Sequence, residues 1–181
     1  MAARGEPVGI RKQPVADAEA FDRFYLHWEP QVRRYLLWLV GDRAIVEDAA
    51  QETMLAAHTY WQQVNTLRKP QAWLFKVAGQ RLQRVQAARQ RHGLSTDPNE
   101  LPHSHGPDDM GLRERELVLL EAVRKLPDRQ RTAIALRWQL DLPNDEIAAV
   151  MGVSPNSVKT YLRLGRATLE TLLSDVSGGE Q

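Results

Sequence analysis

The chain has 181 residues, 43% of them apolar and 26% charged, with a formal net charge of +1. That is material for one domain or two small ones. It contains no cysteine, which excludes a disulfide framework, an iron–sulfur cluster and a cysteine nucleophile. No apolar run approaches the roughly 20 residues that span a bilayer. The first twenty residues, MAARGEPVGIRKQPVADAEA, lack the apolar stretch of a secretory signal. The chain therefore reads as a soluble cytoplasmic protein.

In chain order, Phe21, Phe24, Tyr25, Trp28, Val32, Tyr35, Leu36 and Leu39 recur at helical spacing, and Pro30 should bend or split that helix. Gly41 and Asp42 form a stop and an N-cap. The next helix extends to about Trp61 and buries Ile45, Ala49, Ala50, Met54, Ala57 and Trp61. Pro70 suits a first helical position, and the helix it opens buries Leu74, Val77, Ala78, Leu82 and Val85 before ending at Gly93. Residues 93–111, GLSTDPNELPHSHGPDDMG, have a linker's composition. Beyond them, Leu117, Leu120, Val123 and Leu126 mark one helix, and Pro127 starts another that runs through Arg137 and Trp138. Asn144 can cap a short helix that stops at Gly152, and Ser154 a second one with Pro155 at its first position. No segment shows sustained alternation of period two. The expected fold is all-α: a helical bundle at residues 14–92 and a helix-turn-helix unit at 112–175, joined by a flexible linker.

The small net charge hides a segregated one. No acidic residue occurs between Glu52 and Asp97, a stretch holding Arg68, Lys69, Lys76, Arg81, Arg84, Arg89 and Arg91. A second acid-free stretch, between Glu146 and Glu170, holds Lys159, Arg163 and Arg166. Asp42, Glu47, Asp48 and Glu52 cluster just before the first. Two basic surfaces and one acidic surface follow.

The spacing Ala148, Gly152, Val158 has a mechanical meaning. A small residue lets two helices cross closely, a glycine makes the turn, and an apolar residue seals the crossing. The opposite face of the second helix presents Ser154, Asn156, Ser157, Lys159, Thr160, Arg163 and Arg166. Short polar groups near a helix N-terminus suit base edges, and cations suit phosphates.

Here the sequence resembles a known family. GDRAIVEDAAQETMLAAHTYW and KPQAWLFKVAGQRL look like region 2 of the extracytoplasmic-function sigma factors of bacterial RNA polymerase. LEAVRKLPDRQRTAIALRWQLDLPNDEIAAVMGVSPNSVKTYLRLGRATLETLL looks like their region 4. The resemblance implies that Asp48, Gln51 and Glu52 dock on core polymerase. Asp48 and Glu52 also lie one turn apart, on a face able to meet a basic partner. It further implies that Asn65, Thr66, Leu67, Arg68 and Lys69, then Lys76, Gln80, Arg81 and Arg84, read the promoter −10 element as a single strand. Region 4 would then read the −35 element as duplex. Trp73 and Phe75 could stack on bases, although the resemblance gives Trp73 a packed role, and Tyr60 and Trp61 read as core.

Three positions depart from the family pattern. Gln80 stands where asparagine is common, Arg84 where an acid is common, and Gly79 where a basic residue is frequent. An anti-sigma factor is a further partner that the resemblance implies, though no residue here identifies one.

Two carboxylates make a poor magnesium site, and the histidines (His27, His58, His92, His103 and His105) form no constellation. Neither a metal, a cofactor nor an enzyme activity is expected. The alternatives are a stand-alone helix-turn-helix regulator, or a sigma-like adaptor that does not open promoters.

Overall fold

The computed structural model describes residues 15–91 and 114–177, all of whose regular elements are helices. The expected linker, 93–111, lies outside the described residues.

Helix α1 spans Val15–Leu39 and continues unsplit through Pro30. Its apolar stripe carries an aromatic chain: Phe21 and Phe24 pack on Trp61, and Trp28 and Tyr35 pack edge-on against Phe75. Trp61 also donates its indole N–H to the Asp17 carbonyl, at 3.1 Å. Asp42 caps α2 (Arg43–Thr59) as the sequence predicts, accepting from the amides of Ala44 and Ile45 at 2.8 and 3.1 Å. The helix ends two residues early, and Trp61 instead begins a single turn, α3 (Trp61–Val64). Pro70 opens α4 (Pro70–Arg91).

Helix α4 runs antiparallel to α2, since Asp48 pairs with Arg89 and Glu52 with Arg81. All five predicted core residues of α4 are buried, and so is Phe75, with no exposed surface. That removes Phe75 as a base-stacking candidate. Trp73 is half-buried, while Tyr60, read as core, is 49% exposed.

The second unit comprises α5 (Glu114–Arg124), α6 (Asp128–Leu140), α7 (Asn144–Met151) and α8 (Pro155–Ser177). Pro127 takes the N-cap position of α6, so the helix begins at Asp128, one residue after the expected start. Asn144 does not cap α7: Pro143 holds that position, and the Asn144 amide oxygen accepts instead from Arg137. Asp141 closes α6 in the left-handed region, at φ 47°. Gly152 closes α7 as predicted, at φ 65°, with its N–H returned to the Ala148 carbonyl. Ser154 caps α8 through its hydroxyl, which accepts from Ser157 N–H at 3.1 Å. Ile147, Ala148, Val158 and Leu162 are buried at the crossing.

The sequence leaves the arrangement of the two units open, and the structure packs them on one continuous core. The seam is the end of α1, where Leu36, Leu37, Trp38 and Leu39 are all buried. A helix that is apolar all round must be covered all round. The first unit covers one side, and α5 and α6 cover the other. Trp38 meets Trp138 edge-on across the seam.

Where α8 crosses α6, Gly165 is buried, and a Cβ there would lie 3.0 Å from Ile134 Cγ1. A larger side chain at this point overpacks the crossing. Gly165→Leu should cost about 1–3 kcal/mol, read as a lowered urea midpoint with an unchanged m-value.

Candidate nucleic-acid interface

Region by region, the structure places the predicted residues differently from one another. On α8, Asn156, Lys159, Thr160, Arg163 and Arg166 are exposed along one face, as a reading helix requires. The hydroxyls near its start are already engaged. Ser154 and Ser157 bond to each other at 2.9 Å, and Thr160 donates to the Asn156 carbonyl at 3.1 Å. Asn156 therefore keeps the most available polar side chain near the N-terminus of α8.

The structure adds a residue that the sequence reading missed. Arg137, from α6, joins Lys159, Arg163 and Arg166 around an open cleft of about 590 Å³, with Asn144 at its edge. Four cations converge there from two helices, against one carboxylate, Glu170. A phosphate oxygen would find charge-assisted donors on both walls. The signal in the sequence is slight: Arg137 lies outside the acid-free stretch, and only the α6–α8 crossing brings it near.

In the first unit, Asn65 ends α3, and Arg68 is exposed in the turn before α4. Lys76, Gln80 and Arg84 follow at four-residue intervals and are exposed on a common face. Arg81 points to the opposite flank and pairs with Glu52 at 3.8 Å. Lys69 is drawn away from the rest: its ammonium sits 2.8 Å from Glu146 and 3.6 Å from Asp145, both at the start of α7. The hydrogen bond to Glu146 raises the Lys69 pKa.

The acidic surface on α2 is present but partly answered within the chain. Gln51 and Asp48 are exposed and Glu52 half-buried. Asp48 accepts from Arg89 at 2.9 Å. Beside them Leu55 is 63% exposed, an apolar residue amid the polar face. Next to Asp48, Glu47 pairs with Arg33, which also holds Glu29. Burial opposes the Arg33 charge, but the two carboxylates outweigh it and leave its pKa raised.

Among the described residues no group of three or more histidine, aspartate and glutamate side chains is placed to hold a metal. None of the described helices is long and apolar enough to cross a membrane.

Residues 24–92 match sigma-70 region 2, and residues 116–169 match sigma-70, region 4. The chain is 33% identical over 178 residues to the ECF RNA polymerase sigma factor ShbA of Streptomyces griseus, covering 90% of this chain and 92% of that one. It is 30% identical over 146 residues to the ECF RNA polymerase sigma factor SigL of Mycobacterium tuberculosis, covering 79% of this chain and 82% of that one. To the ECF RNA polymerase sigma factor BldN of Streptomyces coelicolor it is 31% identical over 176 residues, covering 92% of this chain but spanning only 65% of BldN. The fold is similar to that of the sigma factor RpoE of Bartonella quintana, solved with the anti-sigma factor NepR. The TM-score is 0.73 at 21% identity, covering 86% of this chain and 98% of that one. Two sigma-70 regions in order, with ShbA and SigL at this identity over 92% and 82% of their lengths, make the chain a member of the extracytoplasmic-function sigma factors.

Proposed function

We propose that this sigma factor binds core RNA polymerase through the exposed α2 face around Asp48, Gln51 and Glu52 and directs initiation at specific promoters. It is an initiation factor and not an enzyme. In this reading Asn65, Arg68, Lys69, Lys76, Gln80, Arg81 and Arg84 contact the −10 strand, and the α8 face contacts the −35 duplex. The observation that supports it is the charge layout: one acidic helix face and two cationic helical faces on one chain, each on a separate element. A single strand is bound by a cationic track, and duplex by a helix in the major groove. Polymerase holds both contacts in place, so two weak ones act as one specific one. The site of action is the cytoplasm, where polymerase works. An anti-sigma factor is a further partner, as the neighbouring RpoE structure with NepR suggests.

Within the −10 set, two cations are shared with carboxylates of the chain: Arg81 with Glu52, and Lys69 with Glu146 and Asp145. With Gln80 and Arg84 differing from the common pattern, the −10 preference should differ from that of relatives carrying asparagine and an acid there. A stand-alone regulator would bind duplex without polymerase, and an adaptor would bind polymerase without initiating. Run-off transcription with core polymerase distinguishes them: specific initiation supports the sigma reading, and its absence with intact core binding supports the adaptor.

Asp48→Arg with Glu52→Arg should abolish core binding in a titration. The fold should survive, because the exposed ion pairs lost are worth about 0.2–1 kcal/mol each. Unchanged core affinity with an unchanged circular dichroism spectrum would place the docking surface elsewhere. On the duplex side, Arg166→Ala and Arg137→Ala should each weaken binding to all sequences alike and reduce the salt slope by about one. Asn156→Ala should cost about 1–3 kcal/mol at one base pair only. A selection of upstream promoter variants at two salt concentrations separates these two kinds of loss.

A further inference from the structure

Tyr35 carries a polar group that the packing of the first unit does not use. The residue is 1% exposed, and its ring packs edge-on against Phe75. Among the described residues nothing hydrogen-bonds its hydroxyl. A buried hydroxyl without a partner is costly, and phenylalanine would fill the same space without that cost. Burial holds the phenol well above its ordinary pKa, so the hydroxyl stays protonated and able to donate.

Gly79, on α4, leaves that hydroxyl open. A Cβ at this position would lie 3.9 Å from Tyr35 Oη, and no atom of another helix would be closer. Neither usual reason for a glycine applies: there is no tight crossing, as at Gly165, and no left-handed backbone, as at Gly152. A glycine inside a helix weakens it. What the missing side chain does is leave a gap on the half-buried flank of α4, with the Tyr35 hydroxyl beneath it.

Tyr35 and Gly79 both line a groove of about 640 Å³. The α1 and α4 residues around them are apolar at Leu39, Val40 and Leu82 and polar at Gln80 and Gln83. They include one cation, Lys76, and no carboxylate. Lys76, Gln80 and Gln83 are exposed, so this wall of the groove is continuous with the outer ridge of α4.

We propose that Tyr35 and Gly79 form a base-specificity subsite: the glycine leaves room for one unpaired base of the strand running along Lys76 and Gln80, and the Tyr35 hydroxyl donates to a carbonyl oxygen of that base. This rests on reading α4 as the −10 track, and every group it uses belongs to α1 or α4. A base oxygen standing about 1 Å nearer than the missing Cβ is at hydrogen-bond distance, about 2.8 Å. An extruded base needs apolar walls and a polar group that reads its edge, and the groove supplies both. Lys76, on a wall without carboxylates, favours a carbonyl oxygen over an amino group. Adenine presents no carbonyl and is the base this subsite rejects. Gly79 is one of three departures from the family pattern, so the subsite separates this chain from relatives with a larger residue there.

The test is run-off transcription by core polymerase with the full-length chain, on a promoter library randomised through the −10 element. Wild type, Tyr35→Phe and Gly79→Ala are compared by sequencing the transcripts. The wild type should discriminate against adenine at one position. Tyr35→Phe should relax that discrimination about three- to tenfold, as the loss of one hydrogen bond does, and leave the other positions unchanged. Gly79→Ala should lose it at the same position, because its methyl occupies the space of the base oxygen while strengthening the helix. An abasic nucleotide there should make wild type and Tyr35→Phe equal. The urea midpoint of Tyr35→Phe should not fall, since its hydroxyl has no partner to lose.

Identical preferences in wild type and Tyr35→Phe overturn the proposal. So does a loss spread evenly over all positions, or a lowered urea midpoint for Tyr35→Phe, since either makes the hydroxyl a structural group. Retention of the wild-type preference by Gly79→Ala also overturns it. Specific initiation by the wild type alongside any of those results sinks the subsite and spares the sigma reading. Absence of specific initiation by the wild type sinks both.

Discussion

One guanidinium sits where everything in this molecule meets. Arg131 bonds the Leu39 carbonyl at the end of α1 and, through Nη2 and Nε, the Leu126 carbonyl between α5 and α6, at 2.8, 2.9 and 3.3 Å. Its planar fork can serve both because five donors are set in fixed directions. Asp128, at 3.2 Å, balances the charge. The end of α1, with its four consecutive buried residues from Leu36, needs cover on every side, and its terminal carbonyls need donors. A side chain that satisfies those carbonyls and belongs to the other unit fixes how the units face each other. The positions of α7 beside α4, and of Glu146 on Lys69, follow from that placement.

Charge segregation then decides what each surface can do. The chain is close to neutral, so its cations are available to an anionic partner only where its own carboxylates are kept away. On α8 they are: the outward face meets little but Glu170 at the edge of the cleft. On α4 the two flanks differ. One flank is answered by α2, where Arg81 and Arg89 pair with Glu52, Asp48 and Asp42. The other is answered by α7. The exposed ridge between them, Lys76, Gln80 and Arg84, is what remains for a strand. The same antiparallel packing of α2 on α4 that neutralises Arg81 also holds the acidic face rigid, as an interface for a large partner requires. Leu55 on that face adds exposed apolar area beside the carboxylates.

Local chemistry was legible in the sequence because its partners are near in the chain. A cap needs a side-chain oxygen two or three residues before the amides it accepts, so Asp42 and Ser154 could be recognised from their own neighbourhoods. A left-handed stop favours glycine, so Gly152 could be placed, whereas the same turn at Asp141 carries no such signal. The helix-turn-helix crossing of Ala148, Ile147 and Val158 and the buried stripes of α2 and α4 follow from a period of 3.6. The acid-free stretches showed which helices carry cations, and the motif order showed the family.

What the sequence could not determine depends on residues far apart in the chain. Asn144 was expected to cap α7, but Arg137, on another helix, takes its amide oxygen. Phe75 looked free to stack on a base, yet Tyr35 and Trp28, forty or more residues earlier, pack against it. Arg81 and Lys69 read as equal members of one track, and their separation into opposite ion pairs, to Glu52 and to Glu146, appears only when α2 and α7 are laid against α4. Tyr35, Leu36 and Leu39 read as part of one apolar stripe, and the burial of Leu37 and Trp38 beside them appears only when α5 and α6 are laid against α1. Periodicity and composition determine which faces of a helix avoid water. Which partner covers each face is decided by packing, since every apolar stripe is compatible with many others until volume and terminal carbonyls select one.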